Sequence, residues 1–499
     1  MIKKFIDRLL GKTEGAVPRG KAGKRHEVPV AEHAIDPALV DERALKVVQT
    51  LADAGHEAYI VGGAVRDLLL GLRPKDFDVA TDATPEQVKA LFRRAFIIGR
   101  RFRIVHVVYG RGRDHEVIEV STFRANVAAT ESQQVAGDER NAKEAMAGHT
   151  HVVDASGRVL RDNVWGPQIE DAARRDFTVN ALYYDPVRQI VVDYHGGIKD
   201  AKKKLLRMIG DPVARYREDP VRIIRVVRFA AKLGFEIEPK TRAPIKEMAA
   251  LLDNVPPSRT FDEMVKLLQT GHALASIEEL RKQGLHRGVF PVLDVALDEA
   301  HRHDGREKFV QLALADTDRR VGEDKPVAPS FMLAAMLWHD VQDGWTKNKA
   351  AGEAPFPALQ QAIDAAFDAR IGDISGRGKL AADMREIWMM QPRFERRVGN
   401  GPLTLVEQPR FRAGFDFLRL RAEAGEIDAA IAAWWEDFSL AGDEVRRDML
   451  AELREHEHAR RRVVVPAGDD SAPAASAAPR KRRRRRKPAG APAAPTDGE

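Results

Sequence analysis

The 499-residue sequence contains no cysteine. That absence excludes disulfides, thiolate zinc sites and thiol nucleophiles, and it suits a reducing cytoplasm. Any metal must then bind oxygen or imidazole. No run reaches the roughly 18 apolar residues of a membrane span, although 44% of the residues are hydrophobic. Net charge is also scarce, at +6 over the whole length, and the run RKRRRRRK at residues 480–487 carries eight positive charges by itself. The rest of the chain is therefore slightly negative. Arg482, Arg483, Arg484, Arg485 and Arg486 form the centre of that tail, where each neutralised phosphate of a nucleic acid would release a counterion; a merely solubilising tail is the alternative. At the other end, MIKKFIDRLLGK sets Ile2, Phe5, Ile6, Leu9 and Leu10 on one side of a short helix. It lacks the apolar core of a secretory signal, so no stable membrane insertion is expected, only weak contact with an anionic surface.

The length suggests about three domains. Residues 1–35 read as a disordered basic leader, which from residue 11 shows neither helical nor strand period. The string AYIV at 58–61 is a short buried strand stopped by Gly62-Gly63, and a helix follows through AVRDLLLG. A strand carries DFDVAT at 76–81. TPEQVKALF opens with a Thr cap, a Pro in first position and an acidic first turn, so it predicts a helix from Thr84. Two more strands follow, FRIVHVVYG at 102–110 and HEVIEVSTF at 115–123. Residues 127–162 are polar and poor in large apolar side chains, and suggest a flexible insertion. From about residue 199 the pattern is helix after helix. The fold class is therefore α+β: a small mixed-sheet head at 36–200, a helical neck at 201–265, a helical body at 266–465, and a disordered Arg-rich tail at 466–499.

In a strand, alternate side chains share a face, so Asp76 and Asp78 stand side by side while Phe77 points to the opposite layer. Two carboxylates that close call for a cation. Oxygen donors favour magnesium, which bridges carboxylates to substrate phosphates, and a pair of ions serves in-line nucleotidyl transfer. Fourteen residues upstream, Gly62 and Gly63 form a strand-to-helix turn whose bare backbone suits approach to a triphosphate. Glu119 lies on a strand expected to border these aspartates, which makes it a reserve third carboxylate. His339-Asp340 in LWHDV invites comparison with His-Asp phosphohydrolases, but His301 and His303 are poorly placed as further ligands, and a helix-packing role is favoured.

The string GGAVRDLLLGLRPKDFDVAT at 62–81 resembles the signature of the class II nucleotidyltransferases, the family of bacterial poly(A) polymerases and tRNA CCA-adding enzymes. RRDFTVNALYY at 174–184 and YREDPVRIIRVVRFAAKLGF at 216–235 resemble further motifs of that family, in the right order. The resemblance implies that Asp76 and Asp78 are catalytic and hold two Mg2+ ions, with Asp176 as the third acidic member. It implies ATP as substrate, with Gly62, Gly63, Arg66, Arg174 and Arg175 near the nucleotide and Asp219 with Arg222 reading the base. A carboxylate can accept from adenine's exocyclic amine while a guanidinium donates to a ring nitrogen. Asp219 before Pro220 is equally a helix N-cap pair.

The segment IIGRRFRIVHV at 97–107 is similar to one typical of poly(A) polymerases, with Arg100 and Arg101 as candidate RNA contacts. It favours template-independent addition of AMP to RNA 3′ ends. The family resemblance further implies products that feed RNA decay, and the expected enzyme is a cytoplasmic monomer. CCA addition to tRNA remains the nearest alternative, and a non-catalytic RNA-binding protein is the alternative of another class.

Overall fold

In the computed structural model, the described residues run from 23 to 463, omitting 100–102, 111–114, 126–132, 136–150, 155–158, 163, 286–288, 291, 294–304, 326, 371–377 and 398. The head is built on an eight-stranded sheet: β1 (His26–Pro29), β2 (Ala58–Val61), β3 (Asp78–Thr81), β4 (Ala95–Ile98), β5 (Ile104–Tyr109), β6 (Glu116–Thr122) and the hairpin Leu182–Asp185 and Ile190–Asp193. The order across the sheet is β1, Ile190–Asp193, Leu182–Asp185, β2, β3, β6, β5, β4. Only β3 and β6 run parallel; the other pairs are antiparallel, so the sheet is mixed.

Alternation gives the sheet two distinct faces. On one, Ile60, Val79, Val105, Val107, Ile118 and Val120 are buried in a single core with Ala44, Val47, Val48 and Leu51. Those four line one side of helix α1 (Glu42–Asp53), at the three- and four-residue spacing an amphipathic helix requires, and Asp41 caps it by accepting from the amides of Arg43 and Ala44. Helix α2 (Gly63–Leu69) leaves the glycine turn, and α3 (Pro85–Leu91) starts with the foreseen Thr84 cap, closed into a full capping box by Gln87. On the other face, Tyr59, Val61, Ala80 and Tyr183 pack with Phe123 and with Ala172 of α4 (Gln168–Arg174).

The helical half has its own core, which runs from Phe177 through Trp338 and Trp388 to Leu420, and a smaller one around Phe394, Phe415 and Trp435 closes the far end. Its helices include α5 (Gly197–Lys202), α6 (Pro212–Glu218), α7 (Val221–Leu233) and α8 (Pro257–Leu268).

Several boundaries differ from the sequence reading. The sheet starts at His26, inside the expected leader: β1 is four residues long, ends in Pro29 and buries only Val28, too little for a visible alternation. Asp76 precedes β3, which begins at Asp78. Within 127–162, three short strands, Gln133–Val135, His151–Asp154 and Val159–Asp162, pair into a separate small sheet. The edges drawn at 200/201 and 265/266 fall inside α5 and α8, and neck and body share one core. The expected amino-terminal helix and the arginine tail lie outside the described residues.

Candidate active site

The Asp78 position is the meeting point of two strand pairings. Asp78 stands directly opposite Val61, the last residue of β2, and directly opposite Glu119 on β6. Residues paired in this way share a face, so Glu119 and Asp78 form a carboxylate couple on the sheet. The Phe77 side chain is buried in the opposite core, and Asp76, just before the strand, is close enough for its charge to act on Asp78. The pattern aspartate, buried phenylalanine, aspartate is what the sequence alternation foresaw.

Charge crowding shows at Asp78. Its carboxyl is pushed up to about 6, first because the surrounding protein strips part of its hydration, then because Glu119 and Asp76 repel its charge, with Arg175 pulling the other way. A cluster of carboxylates short of positive charge is the donor set a hard divalent cation requires, and Asp76, Asp78 and Glu119 fit magnesium on that ground. Among the described residues no group of three His, Asp or Glu side chains is already gathered at metal-binding distance. Magnesium characteristically completes its shell with water and substrate phosphate, so few protein ligands suffice.

Gly62 has φ 72° and ψ −130°, a region closed to residues bearing a Cβ. A Cβ there would lie 3.4 Å from the Arg175 guanidinium. Arg175 itself is wedged among its neighbours: it donates to Asp171 (3.2 Å), to the Tyr183 hydroxyl (3.1 Å) and to the Asn180 carbonyl (3.3 Å). It also lies over the Tyr183 ring. The glycine turn, Asp78 and the RRD segment therefore do converge, and Arg175 is the member of that segment whose charge reaches Asp78.

Asp176 has a different neighbourhood. Burial alone would raise its carboxyl, but Arg225, the Asn180 amide and the Phe177 amide outweigh burial and hold it at about 2. The two bonds from Arg225 measure 2.9 and 2.5 Å, and Asn180 donates at 3.2 Å. The third carboxylate beside the aspartate pair is Glu119, the reserve candidate, because sheet pairing delivers it there while Asp176 is turned toward the neck.

Arg66, expected near the nucleotide, is only 2% exposed. Its guanidinium is spent on Asp67 (2.7 Å) and on the Asn180 side chain (2.7 Å), so it braces the turn from behind. Asn180 thus joins Arg66 of the head to Asp176 and, through it, to Arg225 of α7. Phe229 reinforces the same joint, with the guanidinium groups of Arg66, Arg225 and Arg228 at 5.7, 5.3 and 4.5 Å from its ring centre and Phe177 edge-on at 5.6 Å.

The arginines of α6 and α7 also clasp the RRD segment by its backbone. Arg215 donates to the carbonyls of Arg174 and Arg175, each at 2.6 Å. Arg222 donates to the Arg215 carbonyl at 3.0 Å and to Glu218 at 2.9 Å. The Asp219 carboxylate accepts from Arg259 of α8 at 2.8 Å, and its backbone carbonyl accepts from the Arg222 amide. Asp219 ends α6 rather than capping α7, whose N-cap is Pro220, so the capping alternative is not realised.

Arg225, Arg259 and Asn180 were missed by sequence reasoning. Arg225 carried a signal, lying three residues after Arg222 on the same helical face; Arg259, forty residues from Asp219, carried none. Arg100, Arg101 and Arg482–Arg486 lie outside the described residues. His339 is buried and bonded to Glu426 at 2.9 Å, and Asp340 accepts from Arg370 at 2.7 Å, so this pair serves helix packing.

Residues 58–207 match the profile described as the poly A polymerase head domain. Residues 234–297 match one described as a probable RNA and SrmB-binding site of polymerase A, and residues 351–488 match the polymerase A arginine-rich C-terminus. The chain is 39% identical over 464 residues to poly(A) polymerase I of Salmonella typhi, covering 92% of this chain and 96% of that one. It is 40% identical to poly(A) polymerase I of Escherichia coli O6:H1, covering 92% and 95%. A CCA-adding enzyme of Lactobacillus helveticus is 40% identical over 225 residues, but only 45% of this chain and 49% of that one are covered. Among solved structures, a CCA-adding enzyme in its apo form II shares the fold, with a TM-score of 0.52 at 17% identity, covering 86% and 93%.

Proposed function

The chain belongs to the bacterial poly(A) polymerase family, and from that premise we propose how its residues divide the work of adding AMP from ATP to RNA 3′ ends without a template. The observation that carries the proposal is the strand register that sets Glu119 opposite Asp78, beside the Gly62 turn and Arg175.

Asp76, Asp78 and Glu119 would hold two magnesium ions, which when bound make the attacking hydroxyl more acidic and neutralise the leaving pyrophosphate. Gly62 and Gly63 leave the backbone bare where the triphosphate lies, and Arg174 and Arg175 offer it positive charge. Arg222 donates to a ring nitrogen of adenine and Asp219 accepts from its exocyclic amine. Glu218 and Arg259 hold those two side chains at fixed positions. Asp176 and Arg66 act through Arg225 and Asn180, keeping the neck helix in register with the glycine turn. The helical body and the arginine tail hold RNA by its backbone, which carries little sequence information. The enzyme works as a cytoplasmic monomer, and its adenylated products go to RNA-decay proteins; the lack of cysteine supports a reducing compartment. Among the described residues no helix is long and apolar enough to cross a membrane.

The test offers ATP and CTP separately to the purified chain with a generic RNA and with a tRNA lacking its 3′ end. Long A tails on the generic RNA, with CTP ignored, are the expected result. Incorporation of CTP on the truncated tRNA alone would overturn the proposal in favour of CCA addition.

A further inference from the structure

The row of paired residues that contains Asp78 and Glu119 does not stop there. Glu119 stands opposite His106 of β5, and His106 stands opposite Phe96 of β4. Directly opposed residues share a face, and the 3.2 Å approach of His106 Nε2 to Glu119 confirms it for that pair. Asp78, Glu119, His106 and Phe96 thus form one transverse row across β3, β6, β5 and β4. Three strand spacings make the row about 14 Å long.

The face bearing this row is covered at one end and open at the other. Beside β2 and the Leu182–Asp185 strand it is covered by Ala172 and Ile169 of α4. Beyond Glu119, among the described residues, it is open: Phe96 is 56% exposed and Ile98 is 37% exposed. Ile104, opposite Ile98, and Val108, two residues beyond His106, share the same face and are half-buried. The neighbours of opposite parity, Val105 and Val107, are buried in the core below. A benzyl side chain held out into water at the end of a catalytic row forfeits the burial that phenylalanine ordinarily seeks.

We propose that this open shelf is a stacking subsite for the single-stranded RNA primer, with Phe96 as the platform for a base upstream of the reacting 3′ end. The inference rests on the reading of Asp78 and Glu119 as the catalytic end of the row, since that is what fixes where the 3′ hydroxyl lies. With the 3′ end there, a strand laid along the row reaches Phe96 within a few nucleotides, at about 3.4 Å rise per stacked base. Open sheet faces with exposed aromatics take single-stranded bases because every base presents a π-face, so the contact is indifferent to sequence. That indifference is what an enzyme extending many RNAs needs. The carboxylates at the other end repel the phosphate backbone from the row itself and leave base stacking as the contact the shelf can offer.

The experiment uses the full chain and a fluorescently labelled oligoadenylate. Phe96→Ala should weaken anisotropy-detected binding in the absence of ATP, and raise the KM for RNA, by about tenfold, the loss of roughly one stacked base. The KM for ATP should stay as in the parent. Phe96→Trp should bind at least as tightly as the parent, because the larger ring keeps the platform. Val187→Ala, which trims an exposed apolar side chain between the two strands of the distant hairpin, serves as the control and should change neither. RNA binding unaltered by Phe96→Ala overturns the inference, as does equal weakening by Phe96→Ala and Phe96→Trp. Failure of the catalytic reading would show separately, as full tailing by Asp78→Asn.

Discussion

Arg225 of the neck helix donates both its Nε and its Nη2 to the Asp176 carboxylate of the head, at 2.9 and 2.5 Å. Asn180 adds a third bond to the same carboxylate and at the same time accepts from Arg66, so four side chains close the joint between the sheet and the helical half. The joint sets the position of α7, and α7 carries Arg222.

Breaking one side of this pair should cost more than removing both. Fully buried pairs lose about 3–5 kcal/mol when one partner goes; here 31% of the Arg225 side chain remains exposed, so about 2 kcal/mol is expected for Arg225→Met. In a double-mutant cycle read by thermal or urea unfolding, adding Asp176→Asn should recover part of that loss. Strict additivity of the two changes would show that the pair is not coupled.

The Asp78 carboxyl gives a pH signature in the metal-free protein. Its folded value of about 6 lies above the ordinary aspartate value of about 3.9. The folded protein therefore binds this proton more tightly than the unfolded chain does, and the associated stability is present below about pH 4 and lost as pH rises through 6. Asp78→Asn should raise Tm at pH 8 by the equivalent of on the order of 1 kcal/mol, after allowance for solvent screening at this open site. The advantage should shrink toward nothing near pH 4.5. Calorimetry in a chelator at both pH values checks it, and a variant less stable than the parent at pH 8 would refute the charge-crowding account.

Deletion of residues 480–487 removes eight positive charges. RNA affinity should fall and the slope of log affinity against log salt should flatten, by somewhat under one unit for each lost phosphate contact. Single-turnover transfer at saturating RNA should be unaffected. A salt slope identical to that of the full chain would exclude the tail from RNA binding.

The parts of this architecture that could be read in the sequence are those written in local pattern. The alternation around Phe77 located the aspartate pair, the Thr84 cap located α3, and the glycine doublet located a turn that only glycine's torsions permit. What could not be read is set by long-range pairing. The strand of Glu119 was expected beside the aspartates, and it is there; but nothing local gives the parallel sense and register that set Glu119 directly opposite Asp78, or tells that Asp176 turns away to meet a guanidinium 49 residues later. The edge strands escaped for another reason: β1 buries only one of its four residues and lacks the apolar run that marked β2, and β4 exposes Phe96 where an ordinary strand would bury or omit it.

The most direct test of the account is single-turnover AMP transfer by the Asp78→Asn and Glu119→Gln variants, alongside Asp176→Asn, with RNA binding measured on the same preparations. The account predicts that the first two lose transfer by several orders of magnitude and still bind RNA, whereas Asp176→Asn keeps measurable chemistry with weakened discrimination among nucleotides. Transfer at the parental rate by Asp78→Asn or by Glu119→Gln would contradict it.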